Sequence, residues 1–214
     1  MSGPVLIPCG GSGLRWQNYR GTPKQLALID GVPLLELLAR TLRAAGAGPV
    51  AVVATGERFR PPSVALLPPN PERLGTDLDK LHSTRPYWSP HWRTWIVWGD
   101  LFLTPAAART MLAPDQPPLV WYGRSNRGLY TGKPYGELWG LSYLPSEHER
   151  LEQATRGCSA HCAQSGEPGR AWLVRGVLGG PLVEINDRTE DFDFPRDLVA
   201  WEASALTGRL ERKC

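Results

Sequence analysis

The chain has 214 residues, enough to bury one substantial core, and one domain spanning 1–214 is the default expectation. Charged residues make up 21% and hydrophobic residues 42%, an ordinary globular balance, and a net charge of +3 is too small to argue for a nucleic-acid or membrane partner. No basic-then-apolar leader and no apolar run of about 18 residues occurs, and the four cysteines (Cys9, Cys158, Cys162, Cys214) make no dense disulfide framework, so a cytoplasmic chain with reduced thiols and no membrane span is expected.

The apolar run Val5-Leu6-Ile7 fits a buried strand. It leads into Pro8-Cys9-Gly10-Gly11-Ser12-Gly13-Leu14-Arg15, followed by Thr22-Pro23-Lys24-Gln25-Leu26. Three glycines let the chain turn tightly and bring backbone N–H groups close to a ligand, and successive exposed amides attract anions. Arg15 and Lys24 are fixed cations nearby: one forks onto phosphate oxygens, the other acts as a point charge. The product is a polyphosphate site. It is not a Walker loop, because Gly-Lys-Ser/Thr is absent, and not a dinucleotide fingerprint, because Trp16 stands where the third glycine belongs.

The string Gly-Gly-x-Gly-x-Arg, a gap, Pro-Lys-Gln-Leu, and then Ile29-Asp30-Gly31-Val32-Pro33-Leu34-Leu35 resembles the N-terminus of nucleotidyltransferases with a GT-A-like fold. These include the sugar-1-phosphate nucleotidyltransferases and the MobA-like NTP transferases. The resemblance implies a Rossmann-like α/β three-layer sandwich with a mostly parallel mixed sheet. It also implies a triphosphate wrapped by Pro8, Gly10, Gly11 and Gly13 with Gln25 alongside, and neutralised by Arg15 and Lys24.

Pro33 suits a helix start, and Leu34, Leu35, Leu38, Leu42 and Ala45 follow at helical spacing to a stop at Gly46 and Gly48. Val50–Ala54 reads as a parallel strand covered on both faces, which completes a βαβ unit. Val64–Leu67 reads as a short third strand, and Pro68-Pro69-Asn70-Pro71 as a turn. Thr76 or Asp77 caps a helix carrying Leu78 and Leu81. In the family this segment often touches the base, so Gly75 and Thr76 are candidates for nucleotide binding as well as for a plain cap. Trp88, His91, Trp92 and Trp95 suit packing against the sheet better than a stacking surface.

Thr94–Trp98 is expected as a buried strand ending in Gly99-Asp100, with Thr104 capping and Pro105 opening a helix through Leu112. Ligands of open α/β sheets sit at the carboxyl ends of strands, which makes Asp100 a candidate Mg²⁺ ligand. Leu119–Tyr122 reads as a strand, followed by a basic, glycine-rich loop over 123–137 with Arg124, Arg127 and Lys133. A phosphorylated acceptor suits this loop, and the resemblance places the acceptor pocket here, with Lys133, Gly136 and Glu137 as its residues. A strand over 138–143 follows, then a capping box at Ser146 and Glu149 that opens a helix toward Cys158. Cys158, His161 and Cys162 crowd together, but no second cluster completes a tetrahedral metal site. Ala171–Val174 and Leu182–Ile185 read as late strands around Gly179-Gly180-Pro181. The stretch Asp191-Phe192-Asp193-Phe194-Pro195-Arg196-Asp197-Leu198 resembles the family's late acidic element. There Asp193 holds the place of the second Mg²⁺ ligand, with Asp191 as a rival, and Pro195 opens a last helix expected to end at Gly208.

The implied reaction transfers an NMP from an NTP to a phosphorylated small molecule, a sugar 1-phosphate first among them, with release of pyrophosphate. The alternatives are a glycosyltransferase using a ready-made sugar nucleotide, and a non-catalytic nucleotide-binding subunit. The first usually offers Asp-x-Asp where this chain has Gly99-Asp100-Leu101.

Overall fold

The computed structural model describes residues 3–11, 13–62, 64–70, 72 and 74–210, so Ser12, Pro71 and Cys214 of the sequence analysis lie outside the described residues. Strand β1 (Val5–Pro8) leads into the glycine loop. A small hairpin, β2 (Leu28–Ile29) and β3 (Val32–Pro33), precedes α1 (Leu34–Ala44). Then come β4 (Val50–Val53), β5 (Ala65–Leu67), α2 (Asp77–Thr84), β6 (Thr94–Val97), β7 (Leu101–Phe102) and α3 (Pro105–Met111). The second half holds β8 (Leu119–Arg124), β9 (Glu137–Tyr143), α4 (His148–Ser165), α5 (Ala171–Leu178), β10 (Leu182–Glu184), β11 (Glu190–Asp191) and α6 (Pro195–Leu210).

Seven strands form one sheet in the order β10-β8-β9-β6-β1-β4-β5. Only β9 runs against its neighbours, β6 and β8; the other pairings are parallel. Side-chain alternation along the strands divides the core into two layers. Val5, Ile7, Val52 and Val97 pack under Leu35, Leu38 and Leu42 of α1 and Ala107, Ala108 and Met111 of α3. Leu6, Val53, Ile96 and Trp98 face the other way, onto Leu78 and Leu81 of α2, Leu151 of α4 and Val174 of α5. Each fully buried leucine contributes roughly 1.5–3 kcal/mol over an exposed one. This is the expected three-layer α/β sandwich. Trp88 and Trp95 are buried and Trp88 packs edge-on against Tyr143 with ring centroids 5.0 Å apart, so those rings serve the core, while His91 and Trp92 are exposed.

A third apolar cluster unites chain ends far apart in sequence. Trp16, Ala27, Ile29 and Leu34 pack with Phe192, Leu198 and Trp201. This weld clamps the glycine-loop segment to the start of α6. The two-residue pairing of β7 with β11 adds to it, aligning Leu101 with Asp191.

Four expectations need correction. Ala171–Val174 belongs to helix α5, not to a strand; a short apolar run carries no period of its own, and its inward residues Ala171 and Val174 sit three apart. The Ser146 capping box does not form: a 3₁₀ turn over Pro145–Glu147 feeds α4, which starts at His148 without a side-chain cap and runs on to Ser165. The last helix continues past Gly208 to Leu210. Arg124 is not in a basic loop but ends β8, with 1% of its surface exposed. Among the described residues no helix is long and apolar enough to cross a membrane.

Candidate active site

The carboxyl ends of β1 and β6 lie side by side, so the loops that leave them meet. Contact there depends on glycine. A Cβ on Gly99 would collide with Cys9 Sγ and come within 3.3 Å of the Pro8 carbonyl oxygen. A Cβ on Gly10 would collide with Leu74, which is how the loop nests against the Leu74–Gly75 segment. Gln25 is buried and donates from Nε2 to the Gly10 carbonyl at 3.4 Å, tying the Pro-Lys-Gln turn to the loop. Thr76 caps α2 with a full capping box, its Oγ1 accepting from Asp79 N at 3.1 Å. Its hydroxyl is thereby committed to the helix end.

The Lys24 ammonium touches both acids expected to converge: it contacts Asp100 Oδ2 directly and Asp193 Oδ1 at 3.3 Å. Arg15 Nη1 reaches Asp193 Oδ2 at 2.8 Å. Asp193 owes its position to the weld described above and to Asp197, whose Oδ2 accepts from the Asp193 and Phe194 amides, each at 2.9 Å. The side chain of Asp193 is therefore spent on the site and not on capping α6.

Asp191 has other partners. Its Oδ2 accepts from Lys133 Nζ at 2.7 Å and its Oδ1 from Trp139 Nε1 at 3.3 Å. Lys133 also reaches Glu137 Oε1 at 3.3 Å and Asp193 Oδ2 at 3.6 Å. Buried at 5% exposure, Lys133 sits among the acids as their counter-charge. Arg124 is similarly engaged, pairing with Glu190 at 3.0 Å and donating to the Asp187 carbonyl at 2.9 Å. Of the three expected loop cations only Arg127 is exposed.

The charges decide the protonation states. Burial pushes the Asp100 carboxyl up, but Lys24 and Lys80 outweigh it and hold it well below the usual carboxylate range. Asp193 is held down in the same way, against burial, by Lys24 and Lys133. Burial pulls Lys24 down, yet Asp100 and Asp193 keep it above its ordinary value. Glu137 is the opposite case: burial, with Asp191 adding, pushes it up to about 9, so it carries a proton at neutral pH. Burial and then Asp100 push the Cys9 thiol up, so Cys9 is no thiolate nucleophile.

Arg15, Lys24, Asp100, Glu137, Asp191 and Asp193 line a cavity of about 390 Å³, together with Asp77, Lys80, Trp98, Tyr135, Gly136, Arg170 and Trp172. Sequence reasoning placed Gly136 and Glu137 here but missed Lys80, Trp98, Arg170 and Trp172. A lysine one turn after the Gly75–Thr76 cap was the available signal for Lys80. A larger groove of about 550 Å³ between α4 and α5 includes Cys158 and His161 but is mostly apolar and brings no charges together.

As a metal site, Asp100 and Asp193 offer ionised oxygen donors that already accommodate one positive charge, the Lys24 ammonium, against both of them. Glu137, Asp191 and Asp193 can bring one oxygen each within 4.8 Å of one another. An all-oxygen donor set of this kind fits Mg²⁺.

The fold is shared with solved nucleotidyltransferases. The CTP:phosphocholine cytidylyltransferase of Streptococcus pneumoniae superposes with a TM-score of 0.67 at 14% identity, covering 96% of this chain and 100% of the other. The inositol-1-phosphate CTP transferase of T. maritima gives 0.62 at 16% identity, covering 94% of each chain. The 2-C-methyl-D-erythritol 4-phosphate cytidylyltransferase of Thermus thermophilus gives 0.58 at 19%, covering 96% and 99%. No curated protein matches in sequence. The MobA-like NTP transferase domain matches residues 5–160, which is most of the chain. On that match the chain belongs to the MobA-like NTP transferase family.

Proposed function

We propose that the chain is a Mg²⁺-dependent nucleotidyltransferase. It transfers an NMP from an NTP to a phosphorylated small-molecule acceptor, a sugar 1-phosphate in the first instance, and releases pyrophosphate. The observation that carries this reading is the single ammonium of Lys24 resting on both Asp100 and Asp193. CTP is the donor to test first, because the three structural relatives named above are all cytidylyltransferases.

In this reading the amides of Gly10, Gly11 and Gly13 cradle the triphosphate, while Gln25 holds the loop and Gly75 and Thr76 border the base. Arg15, whose side chain is 57% exposed, swings onto phosphate oxygens. Lys24 stabilises charge that accumulates on the α-phosphate and the leaving pyrophosphate. The acceptor's phosphate oxygen attacks the α-phosphorus and the bond to pyrophosphate breaks. That oxygen is already ionised at neutral pH, so the mechanism needs positioning and cations more than a base. Asp100 and Asp193 would hold Mg²⁺, which supplies Lewis-acid neutralisation of the phosphates. Asp193 is preferred to Asp191 because the Lys24 ammonium bridges Asp193 to Asp100, whereas Asp191 is held by Lys133 and Trp139. Lys133 supports the acids and does not grip the acceptor itself; the protonated Glu137, beside Gly136, faces the acceptor as a neutral hydrogen-bond donor.

The test is a panel of the four NTPs against phosphorylated acceptors with Mg²⁺, read as pyrophosphate release. Pyrophosphate formed only when both substrates are present supports the assignment. Turnover of a ready-made sugar nucleotide without pyrophosphate would move the chain to glycosyl transfer.

A further inference from the structure

Both acids proposed to hold Mg²⁺ are already in contact with the chain's own cations. The Lys24 ammonium touches Asp100 Oδ2 and lies 3.3 Å from Asp193 Oδ1. Asp193 Oδ2 accepts from Arg15 Nη1 at 2.8 Å and lies 3.6 Å from Lys133 Nζ. These three cations are not equivalent. Arg15 is exposed, so its pair is screened and weak. Lys133 is buried, does not line the cavity, and is held by Glu137 and Asp191 as well. Lys24 both lines the cavity and joins the two acids.

The two oxygens that Lys24 contacts cannot serve an ammonium and a divalent ion at once. Mg²⁺ draws its oxygens in to about 2.0–2.1 Å, and a second positive charge in contact with the same pair would repel it. An ion on Asp100 and Asp193 therefore replaces the Lys24 ammonium and does not join it. Replacement by the ion alone strips a mostly buried ammonium of both carboxylates, which is costly. A triphosphate removes that cost, because its oxygens can take the three donors of the displaced ammonium. The exchange asks only for a side-chain swing: Gln25, the next residue, ties the turn to the Gly10 carbonyl.

Resting on the nucleotidyl-transfer reading for the triphosphate, we propose that Lys24 is a stand-in cation: it keeps a bare divalent ion off Asp100 and Asp193 and yields its place only when a triphosphate arrives, so that metal and nucleotide bind as a coupled pair. Mn²⁺, which takes the same oxygen donors, is the probe, and free Mn²⁺ is counted by electron paramagnetic resonance in nucleotide-free protein. Lys24→Met binds Mn²⁺ about tenfold or more tighter than wild type, the scale of one charged hydrogen bond. Adding Asp100→Asn to Lys24→Met removes the gain. Arg15→Met takes one charge from Asp193 but leaves Lys24 in place, and tightens Mn²⁺ binding by at most about fivefold. Equal Mn²⁺ binding by Lys24→Met and wild type, a gain that survives Asp100→Asn, or a gain as large in Arg15→Met overturns the proposal.

If Lys24→Met does not fold in chelator, its recovery by Mn²⁺ at concentrations that leave the wild-type melt unmoved upholds the exclusion, and no recovery overturns it. Thermal melts test the release: Mn²⁺ alone raises the melting temperature of Lys24→Met, whereas wild type responds only when one of the four NTPs accompanies the ion. None of these readouts uses turnover. A wild type that responds to no NTP with Mn²⁺ overturns the release by triphosphate and the nucleotidyl-transfer reading with it. Binding without pyrophosphate release sinks the reaction alone and leaves the role of Lys24 standing.

Discussion

Gly99→Ala probes the contact that sets Asp100 against the glycine loop. The added methyl group would collide with Cys9 Sγ and sit 3.3 Å from the Pro8 carbonyl and 3.4 Å from Ile7 Cγ2. Cys9 is 1% exposed, Ile7 fully buried, and Pro8 belongs to a central strand, so none of them yields at low cost. Overpacking of this kind costs about 1–3 kcal/mol. For a domain of this size 2 kcal/mol lowers the melting temperature by roughly 4–8 °C. Cys9→Ala removes the colliding sulfur, so in the double variant the new methyl occupies the vacated volume. Thermal or urea melts of the four proteins therefore give a double-mutant cycle whose coupling restores about 1–2 kcal/mol, with activity recovering in parallel. Strict additivity of the two changes, or a Gly99→Ala protein as stable and active as wild type, would refute the close approach of the two loops.

The other expectations concern charge. Arg15→Met removes an ion pair whose arginine is 57% exposed, so it costs at most about 1 kcal/mol of stability, read as denaturant midpoint. The same variant loses roughly 10²–10³ in turnover if Arg15 neutralises developing phosphate charge; a large stability loss with normal turnover would reverse that division of roles. Glu137 has a folded-state pKa raised from 4.5 to about 9, so between those values the folded state holds a proton that the unfolded state has released. Stability then falls as pH rises through that window. In chelator-treated protein, Glu137→Gln escapes this loss. Its stability advantage over wild type grows from 4.5 toward about 9 and levels off above; a gap that stays constant or shrinks with rising pH contradicts the assignment.

Much of the candidate site was legible because residue types that suit phosphate binding cluster locally in the sequence. Glycines, Arg15, Lys24 and Gln25 lie within one stretch, and Gly99-Asp100 follows an unbroken apolar strand. The convergence of Asp193 on Asp100 was available only through resemblance, since it rests on the Trp16–Phe192–Trp201 cluster and the β7–β11 pairing, contacts between distant segments that no local period encodes. Lys133 and Arg124 were read as loop cations suited to a phosphorylated acceptor; their burial against Asp191 and Glu190 was not legible because those partners lie 58 and 66 residues further on. Ala171–Val174 failed for a simpler reason: four apolar residues fit either period, and only the packing of α5 against α4 and the sheet chose the helix.

The most direct test follows the phosphorus atoms. With CTP or the preferred NTP labelled at the α-position, Mg²⁺ and the acceptor, the α-phosphate should appear in the acceptor product with one pyrophosphate released per turnover. Asp100→Asn and Asp193→Asn should each abolish that transfer while the protein stays folded. Label from the γ-position in the acceptor, or full α-label transfer by either variant, would contradict the account.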